Sequence, residues 1–271
     1  MTFRSRASPL NDSIQFHRIV RSLAAVLSSR RARVFCHSIS VTPPFFTRSP
    51  TLFFLRIRKM PTIKLSYFPF GGRALTARLA FAIGNVAFED ERVGSEDWQA
   101  HCGDRVRFPL GAMPVLTVDG RVYTQSHAIN KFVGAVSGLG AADPLDDLAI
   151  DQAFATLEEI YSGDKGFTST MFIENADAKK AARLAFLDEN LRFHCRRMVT
   201  LLEQSGTGFI GKKLSVADLN LVAMMVHMSS GHVDHVPVTI FDDEFPKLSE
   251  LKKRVLALPA VAAFLHSHPD G

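Results

Sequence analysis

Tyr67 is the residue whose type and position most clearly suggest chemistry. It lies in a strand pattern, residues 63–68, and a glycine pair at 71–72 follows before a helical pattern over residues 73–83. A phenol at the end of a strand can donate a hydrogen bond to a bound ligand. The turn contains no cysteine, so disulfide exchange is not expected there. The alternative interpretation is a tyrosine packed in the core with its hydroxyl satisfied locally.

The other reactive side chains do not form recognisable centres. The three cysteines lie far apart without a CxxC pair, which supports neither a disulfide framework nor a zinc site and suits a reducing compartment. His232, Asp234 and His235 form a local cluster. Because their spacing is not that of metal ligands on a helix, we expect an ordinary loop and no metal.

Charge is distributed unevenly along the chain. Residues 1–59 contain eleven basic residues and one acidic residue, whereas the remainder contains 21 basic and 26 acidic residues. The body is therefore mildly acidic, which argues against nucleic acid as a partner. At 271 residues and 46% hydrophobic composition, we expect a globular protein of about two domains.

Residues 1–59 have the composition of a presequence that we expect to be disordered. They are rich in arginine and serine, which is typical of an organelle transit peptide. The alternatives are an upstream extension of the gene model, with translation beginning at Met60, or a secretory signal or surface anchor. The apolar stretches are too short to span a membrane. We expect a cytoplasmic protein, or a mitochondrial one if this segment is a real transit peptide.

After the presequence, the patterns predict a βαβ unit, a connector, a hairpin and a helix. The second strand is predicted over residues 86–93 and must be parallel to the first if both share one sheet. Asp119 and Gly120 suit the positive φ angles of a type I′ turn, which predicts a hairpin between residues 115–118 and 122–124. A helix is predicted to begin at residues 125–126.

From about residue 143 onward, strand signals stop and the chain predicts an all-α region. The helical patterns cover residues 150–161, 178–202, 216–228, 247–256 and 260–266. Ser215 and Asp218 predict a capping pair at the start of the third of these helices. Pro259 suits the first turn of the last one.

Four short motifs in a fixed order, followed by the helical tail, resemble the glutathione transferases, nearest to the sigma class. The motifs are KLSYFPFGGRA at 64–74, Trp98 after an acidic stretch, MPVL at 113–116 and QSHAI at 125–129. The resemblance covers about residues 60–271. It implies an α/β thioredoxin-like, glutathione-binding domain over residues 60–141 and an all-α domain over residues 142–271.

The resemblance also implies the activity. It predicts an enzyme that conjugates reduced glutathione, its co-substrate, to hydrophobic electrophiles in detoxification, without a metal, and that forms a homodimer. A close alternative is a glutathione-dependent isomerase of the prostaglandin D synthase type. A third possibility is a non-catalytic structural or ligand-binding relative.

By this resemblance, Tyr67 is the catalytic tyrosine that stabilises the glutathione thiolate, and Arg73 supports it. Gln125 and Ser126 match the pair that holds the γ-glutamyl end. For Ser126 a physical reason exists as well, because a helix N-terminus presents free amides to a carboxylate.

Further site residues are implied in the same way. Trp98 lines the glycine end of glutathione, Met113 offers its backbone to the cysteinyl unit, and Pro114 is expected to be cis. Glu158 and Glu159 match acids that reach the glutathione amine of the partner subunit; otherwise they form a solvated helix face.

The sequence departs from the family pattern near the glycine end of glutathione. Cys102 replaces the usual lysine, so Arg105 or Arg107 is expected to hold the glycine carboxylate instead. Ala112 replaces a polar residue before the Met-Pro pair. We expect the electrophile between residues 68–70 and the inner helices near Tyr161 and Phe167, although these aromatics would equally suit the core.

Overall fold

A four-stranded mixed sheet forms the first part of the structure, a computed structural model that describes residues 61–271. The strands are β1 (Ile63–Tyr67), β2 (Glu89–Arg92), β3 (Val115–Val118) and β4 (Arg121–Thr124). The order is β2-β1-β3-β4, with β1 parallel to β2 and both other pairs antiparallel. The predicted βαβ unit and hairpin are thus confirmed. The predicted presequence lies outside the described residues.

Helices make up most of the rest of the described chain. They are α1 (Leu75–Gly84), α2 (Ser95–His101), α3 (Ser126–Val136), α4 (Pro144–Tyr161), α5 (Ala176–Ala185), α6 (Arg192–Ser205), α7 (Val216–Met228), α8 (Ile240–Glu244), α9 (Pro246–Leu256) and α10 (Pro259–Ser267). Short 3₁₀ turns occur at Gly72–Ala74 and Phe167–Thr170. A π-helical stretch, Phe186–Leu191, joins α5 to α6.

The hairpin turn between β3 and β4 has the predicted conformation. Asp119 and Gly120 have φ angles of 48° and 80°. Both are positive, as a type I′ turn requires, and this turn matches the twist of the two strands that it joins. The turn therefore aligns β3 with β4, and the chain leaves β4 directly into Gln125 and α3.

Helix α7 lies at the centre of the helical part and is apolar on nearly every side. It packs against α1, α4 and α9, and so connects the sheet side of the molecule to the helical side. Its start is secured by the predicted capping box, in which the side chains and backbones of Ser215 and Asp218 bond reciprocally. A helix that is hydrophobic all round must be buried, and α7 is.

The structure differs from the predicted elements at several boundaries. Helix α4 begins at Pro144, six residues earlier than predicted, because Asp143 caps it by accepting from the amides of Leu145 (3.0 Å) and Asp146 (3.1 Å). Helices α2 and α8 were not predicted. The described residues fall within one compact unit, and a division at residues 141–142 stays a prediction.

Candidate functional site

The turn after β1 holds the backbone of Gly72 against the hydroxyl of Tyr67. Tyr67 is the last residue of β1 and is 6% exposed. Gly72 has a φ of +44°, and a Cβ at this position would lie 2.7 Å from Tyr67 Oη. A side chain would therefore be strained by its backbone and would collide with the phenol. The glycine pair is needed for this close approach.

The Tyr67 hydroxyl accepts one hydrogen bond and keeps its own proton to donate. The backbone N–H of Arg73 donates to Tyr67 Oη over 3.2 Å. Within residues 61–271, no protein group accepts the phenolic proton in return. Burial raises the pKa of Tyr67, although the Arg73 amide and the charges of Arg73 and Arg78 oppose the rise. The phenol therefore stays protonated near neutral pH and can act as a donor.

Arg73 joins the turn to helix α4. Its guanidinium binds both carboxylate oxygens of Glu158, at 2.6 and 3.0 Å, and donates to Ser126 Oγ over 3.3 Å. It also lies over the ring of Tyr161, 4.5 Å from the centroid. Burial acts to raise the pKa of Glu158, but hydrogen bonds from Arg73 and Ser162 outweigh it, and the pKa is lowered. Glu158 is thus an ionised carboxylate beside a fixed guanidinium.

A groove of about 210 Å³ lies next to this ion pair. Most of the predicted glutathione-binding residues line it: Arg73, Met113, Pro114, Gln125 and Ser126. The Met113-Pro114 peptide bond is cis, as expected. Gln125 has a φ of +73° and immediately precedes α3, whose first residue is Ser126. Four elements thus meet at one concave surface with a helix N-terminus in its wall, a suitable place for an anionic group.

Trp98 lies beside the turn but is not among the residues that line the groove. It belongs to α2 and is half-buried. Its ring meets Phe68 edge-on at 5.6 Å and Phe108 at 5.1 Å between centroids. Its predicted contact with the glycine end of glutathione stays a prediction.

The two arginines that follow α2 differ in their surroundings. Arg107 forms a bidentate pair with Asp97, at 3.0 and 2.8 Å. Arg105 is exposed, and its guanidinium covers Gly111 so closely that a Cβ there would collide with Nη1. The next residue, Ala112, lines the groove. Arg105 is therefore the arginine with a charge available beside the groove, because Asp97 already occupies Arg107.

The predicted acidic pair of α4 is divided between two environments. Glu158 lines the groove of its own chain. Glu159 lies 3.4 Å from Arg197 and 3.4 Å from His194, both on α6. The structure thus brings only Glu158 to the site. A contact of either acid with the partner subunit stays a prediction.

A larger cavity, of about 520 Å³, lies beside Gly71 and Gly72. Phe70 and Leu75 line it from the turn and α1, and Val226 and His227 line it from α7. Of the two interpretations of Phe167, the structure supports the core one. Its ring is 5% exposed and belongs to the core, because the 3₁₀ turn that carries it points it between α4 and α7 neighbours such as His227.

Tyr161, the other aromatic expected near the electrophile, has a different position relative to this cavity. Tyr161 does not line it but lies beneath the Arg73 guanidinium. The Tyr161 hydroxyl is 3.4 Å from His227 Nδ1. Burial lowers the pKa of His227, and the cations Arg183 and Arg73 lower it further, so the imidazole is neutral. His227 thus separates Tyr161 from the cavity. The sequence analysis had not indicated His227 as a residue of the cavity.

Comparisons with known proteins agree on one family. The model "Glutathione S-transferase, C-terminal domain" matches residues 164–268. A hematopoietic prostaglandin D synthase of Gallus gallus is 29% identical over 210 residues, covering 78% of this chain and 98% of that protein. Glutathione S-transferase 1 of Ascaris suum is 28% identical over 206 residues, covering 74% and 98%. A solved prostaglandin synthase D of Nilaparvata lugens has a TM-score of 0.68 at 26% identity, covering 77% and 99%.

The chain is similar to the glutathione S-transferases in sequence and in fold. Its mixed sheet with an adjoining helical region is the glutathione transferase fold, so the predicted fold class is confirmed. The ion pair between Arg73 and Glu158 was not predicted. The two residues are 85 positions apart, and no local pattern connects them. Arg78 was missed for the same reason, since its partners are scattered along the chain.

Two further features bear on the class of protein. Within the described part of the chain, no cluster of three or more His, Cys, Asp or Glu side chains is arranged to hold a metal ion. No helix of residues 61–271 is both long and apolar enough to cross a bilayer.

Proposed function

We propose that the protein is a glutathione transferase in which Tyr67 stabilises the thiolate of bound glutathione for attack on a hydrophobic electrophile. The observation that carries this proposal is the hydrogen bond from the Arg73 amide to Tyr67 Oη. This bond occupies the phenol oxygen as an acceptor and directs its proton elsewhere. A thiolate docked beside Gly72 would receive that proton as a hydrogen bond.

The size of the effect is sufficient for catalysis. A thiol that behaves like free cysteine has a pKa of about 8.5, so only a few per cent is ionised near neutral pH. A hydrogen bond to a charged acceptor contributes about 1.5–3 kcal/mol, which corresponds to a pKa lowered by about one to two units. About half of the bound thiol would then be ionised at pH 7.

The groove supplies the remaining contacts with the tripeptide. Ser126 at the start of α3 offers its hydroxyl and free amides to the γ-glutamyl carboxylate, with Gln125 beside it. Glu158, which the Arg73 guanidinium keeps ionised, suits the positively charged amine of the same unit. Met113, which precedes the cis peptide bond, offers its backbone groups to the cysteinyl unit. The carboxylate and the sulfur thus face hydrogen-bond donors, and the amine faces a negative charge.

The cavity beside Gly72 suits the electrophile. Its walls include Phe70, Leu75, Val226 and Leu265, which favour apolar molecules, and the neutral His227 adds a polar group. Because Gly72 lies against Tyr67 Oη, an electrophile there would be close to the activated sulfur. Holding both reactants together replaces a bimolecular encounter and accounts for much of the rate gain.

The test is direct. The full chain should be retained on immobilised glutathione, eluted by the free tripeptide, and consume glutathione with chlorodinitrobenzene. A chain that does not bind glutathione, or binds it without lowering the pKa of its thiol, would support the structural or ligand-binding alternative.

An isomerase remains the second candidate, since three of the similar proteins are named prostaglandin D synthases. Conjugation consumes one glutathione for each electrophile, whereas isomerisation of an endoperoxide returns glutathione unchanged. Measuring glutathione loss beside product formation with both substrates separates the two activities.

Replacing Arg105 with glutamine is expected to raise the KM for glutathione about fivefold with little change in kcat. The physical reason is the loss of a charge-assisted hydrogen bond, which is worth about 1 kcal/mol at an exposed position. The measurement is repeated with a glutathione whose glycine carboxylate is amidated, for which the variant and the wild type should have equal KM values. Arg107→Gln is the matched control, because Arg107 is paired with Asp97. A KM unchanged in Arg105→Gln would reject this contact.

We also propose a homodimer. Leu145 and Leu148 are 76% and 65% exposed at the start of α4, and Val136 is 40% exposed at the end of α3. Exposed apolar side chains on neighbouring elements suit an interface between two copies of the chain. Sedimentation at several concentrations measures the mass, and a monomer at all of them would reject the proposal.

A role in detoxification in the cytoplasm follows from the proposed activity, with mitochondria as the alternative if residues 1–59 are a transit peptide. Imaging of the full chain with a tag after residue 271, beside a variant that lacks residues 1–59, distinguishes the two compartments.

A further inference from the structure

A fully buried arginine joins the turn of the site to the segment that follows α10. Arg78 of α1 is 0% exposed. Its guanidinium donates to the backbone oxygens of Phe68 (3.2 Å), Phe70 (2.7 Å) and Gly271 (3.1 Å). Its Nε pairs with Asp90 of β2 at 3.0 Å. One planar group thus holds three parts of the chain that are distant in sequence.

Residues 269–271 also contact the turn directly. The amide of Gly71 donates to the oxygen of Asp270 over 2.7 Å. Gly271 has a φ of +94°, and a Cβ there would lie 2.8 Å from Gly71 Cα and 3.0 Å from Gly71 N. This is backbone packed on backbone, and it leaves no room for a side chain.

The turn held in this way carries both groups of the proposed thiol site. Tyr67 precedes it, Arg73 follows it, and Gly72 within it lies against Tyr67 Oη. Residues 269–271 also form part of the wall of the 520 Å³ cavity, together with Leu265. A displacement of this segment would therefore alter both the turn and the cavity.

We propose that Arg78 and residues 269–271 form a clamp that fixes the turn between Tyr67 and Arg73, and that this clamp sets both the turnover and the size of electrophile that the cavity admits. Arg78 is a positioning residue, because it acts through the backbone of the turn. The inference rests on the proposed function for its link to turnover.

The clamp is best tested from the side of residues 269–271. Arg78→Met would leave the Asp90 carboxylate without its buried partner and is expected to disturb folding. Gly271→Ala instead introduces one methyl group against Gly71, and a second variant lacks residues 269–271. Gly206→Ala is the matched control, since Gly206 also has a positive φ, +67°, but nothing lies within 4 Å of an added Cβ.

Both test variants are expected to lower kcat with chlorodinitrobenzene about tenfold, because a small misplacement of a catalytic group has large effects on rate. The KM for glutathione should change less than about twofold, since the groove at Met113 and Gln125 is untouched. The kcat/KM for the bulky bromosulfophthalein, relative to chlorodinitrobenzene, should rise about fivefold, because the deletion removes one wall of the cavity and the added methyl group displaces it. A merely structural defect would lower activity toward both electrophiles alike.

Hydrogen exchange at Gly71 provides a readout that does not depend on activity. Its amide should exchange faster in both variants than in the wild type and in Gly206→Ala, because the bond to Asp270 is removed by the deletion and displaced by the added methyl group. Wild-type exchange rates, or faster exchange with unchanged kcat and unchanged substrate ratio, would each overturn the clamp. If the wild type itself ionises no bound thiol, the proposed function fails, and the exchange measurement still decides whether the clamp exists.

Discussion

Replacing Tyr67 with phenylalanine is expected to lower turnover at pH 7 about tenfold or more and to raise the pKa of the bound glutathione thiol by about one to two units. The variant loses a single oxygen and keeps the ring that packs edge-on against Phe68 and Phe70. Packing is therefore preserved, whereas the proton donated to the thiolate is lost. Because the thiolate is the nucleophile, the rate should follow the ionised fraction.

The pH dependence makes this prediction sharper. Above about pH 9 the thiol of free glutathione is itself largely ionised, so the activities of the variant and the wild type should converge. The thiol pKa is measured by the ultraviolet absorbance of the thiolate in the enzyme–glutathione complex, beside initial rates from pH 6 to about 9.5. Tyr123→Phe is the matched control, since Tyr123 is 42% exposed on β4, outside the groove. An unchanged thiol pKa and unchanged turnover in Tyr67→Phe would reject the mechanism.

Replacing Asp218 with alanine is expected to lower the free energy of unfolding by about 3 kcal/mol at pH 7, because it leaves buried hydrogen-bond donors without an acceptor. The Asp218 carboxylate is 0% exposed and accepts from the amide of Ile210, the amide of Ser215 and the hydroxyl of Ser215, each at 2.8 Å. Alanine would leave these groups without a partner at the start of the central helix α7. Urea denaturation followed by circular dichroism measures the loss.

The loss should also depend on pH in a defined direction. Burial raises the pKa of Asp218 to about 6, above the ordinary value of 3.8, so the folded carboxyl keeps its proton to higher pH than the unfolded one. The stability contributed by this group is therefore full below about pH 4 and falls as the pH rises through 6. The difference in free energy of unfolding between the wild type and Asp218→Ala should therefore become smaller as the pH rises from about 4 through 6.

The exposed cap of α4 is the control for this experiment. Asp143 accepts two amides in a similar way but is partly solvated, so Asp143→Ala should cost only about 1 kcal/mol. A loss in Asp218→Ala no larger than that in Asp143→Ala would show that burial does not strengthen the capping box of α7.

Elements that depend on local chemistry were predictable from the sequence. The hairpin turn at Asp119 and Gly120 and the helix Val216–Met228 were predicted with their observed positions, because turn and capping residues act over three or four positions. Helix α2, Ser95–His101, was missed because it buries none of its residues and so has no apolar period. The early start of α4 was missed although Asp143 and Pro144 are a recognisable start signal.

The residues of the candidate site were also predictable in part. The sequence resemblance selected Arg73, Met113, Pro114, Gln125 and Ser126, which the structure places around one groove. Of the cavity proposed for the electrophile, the wall at Phe70 was predicted and the rest was not. Its walls come from the turn after β1, from α7 and from residues that follow α10, and no spacing in the sequence relates them.

The sequence by itself determined the family resemblance, most of the strands and helices, and a tyrosine without a cysteine at the end of β1. Tertiary structure decided which charges meet: Arg73 with Glu158, and Arg78 with Asp90 and Gly271. The physical reason is the separation in sequence over which each kind of interaction acts. Periodicity, caps and turns are set by neighbours a few residues apart, whereas these contacts depend on how α1 and α4 pack against the sheet.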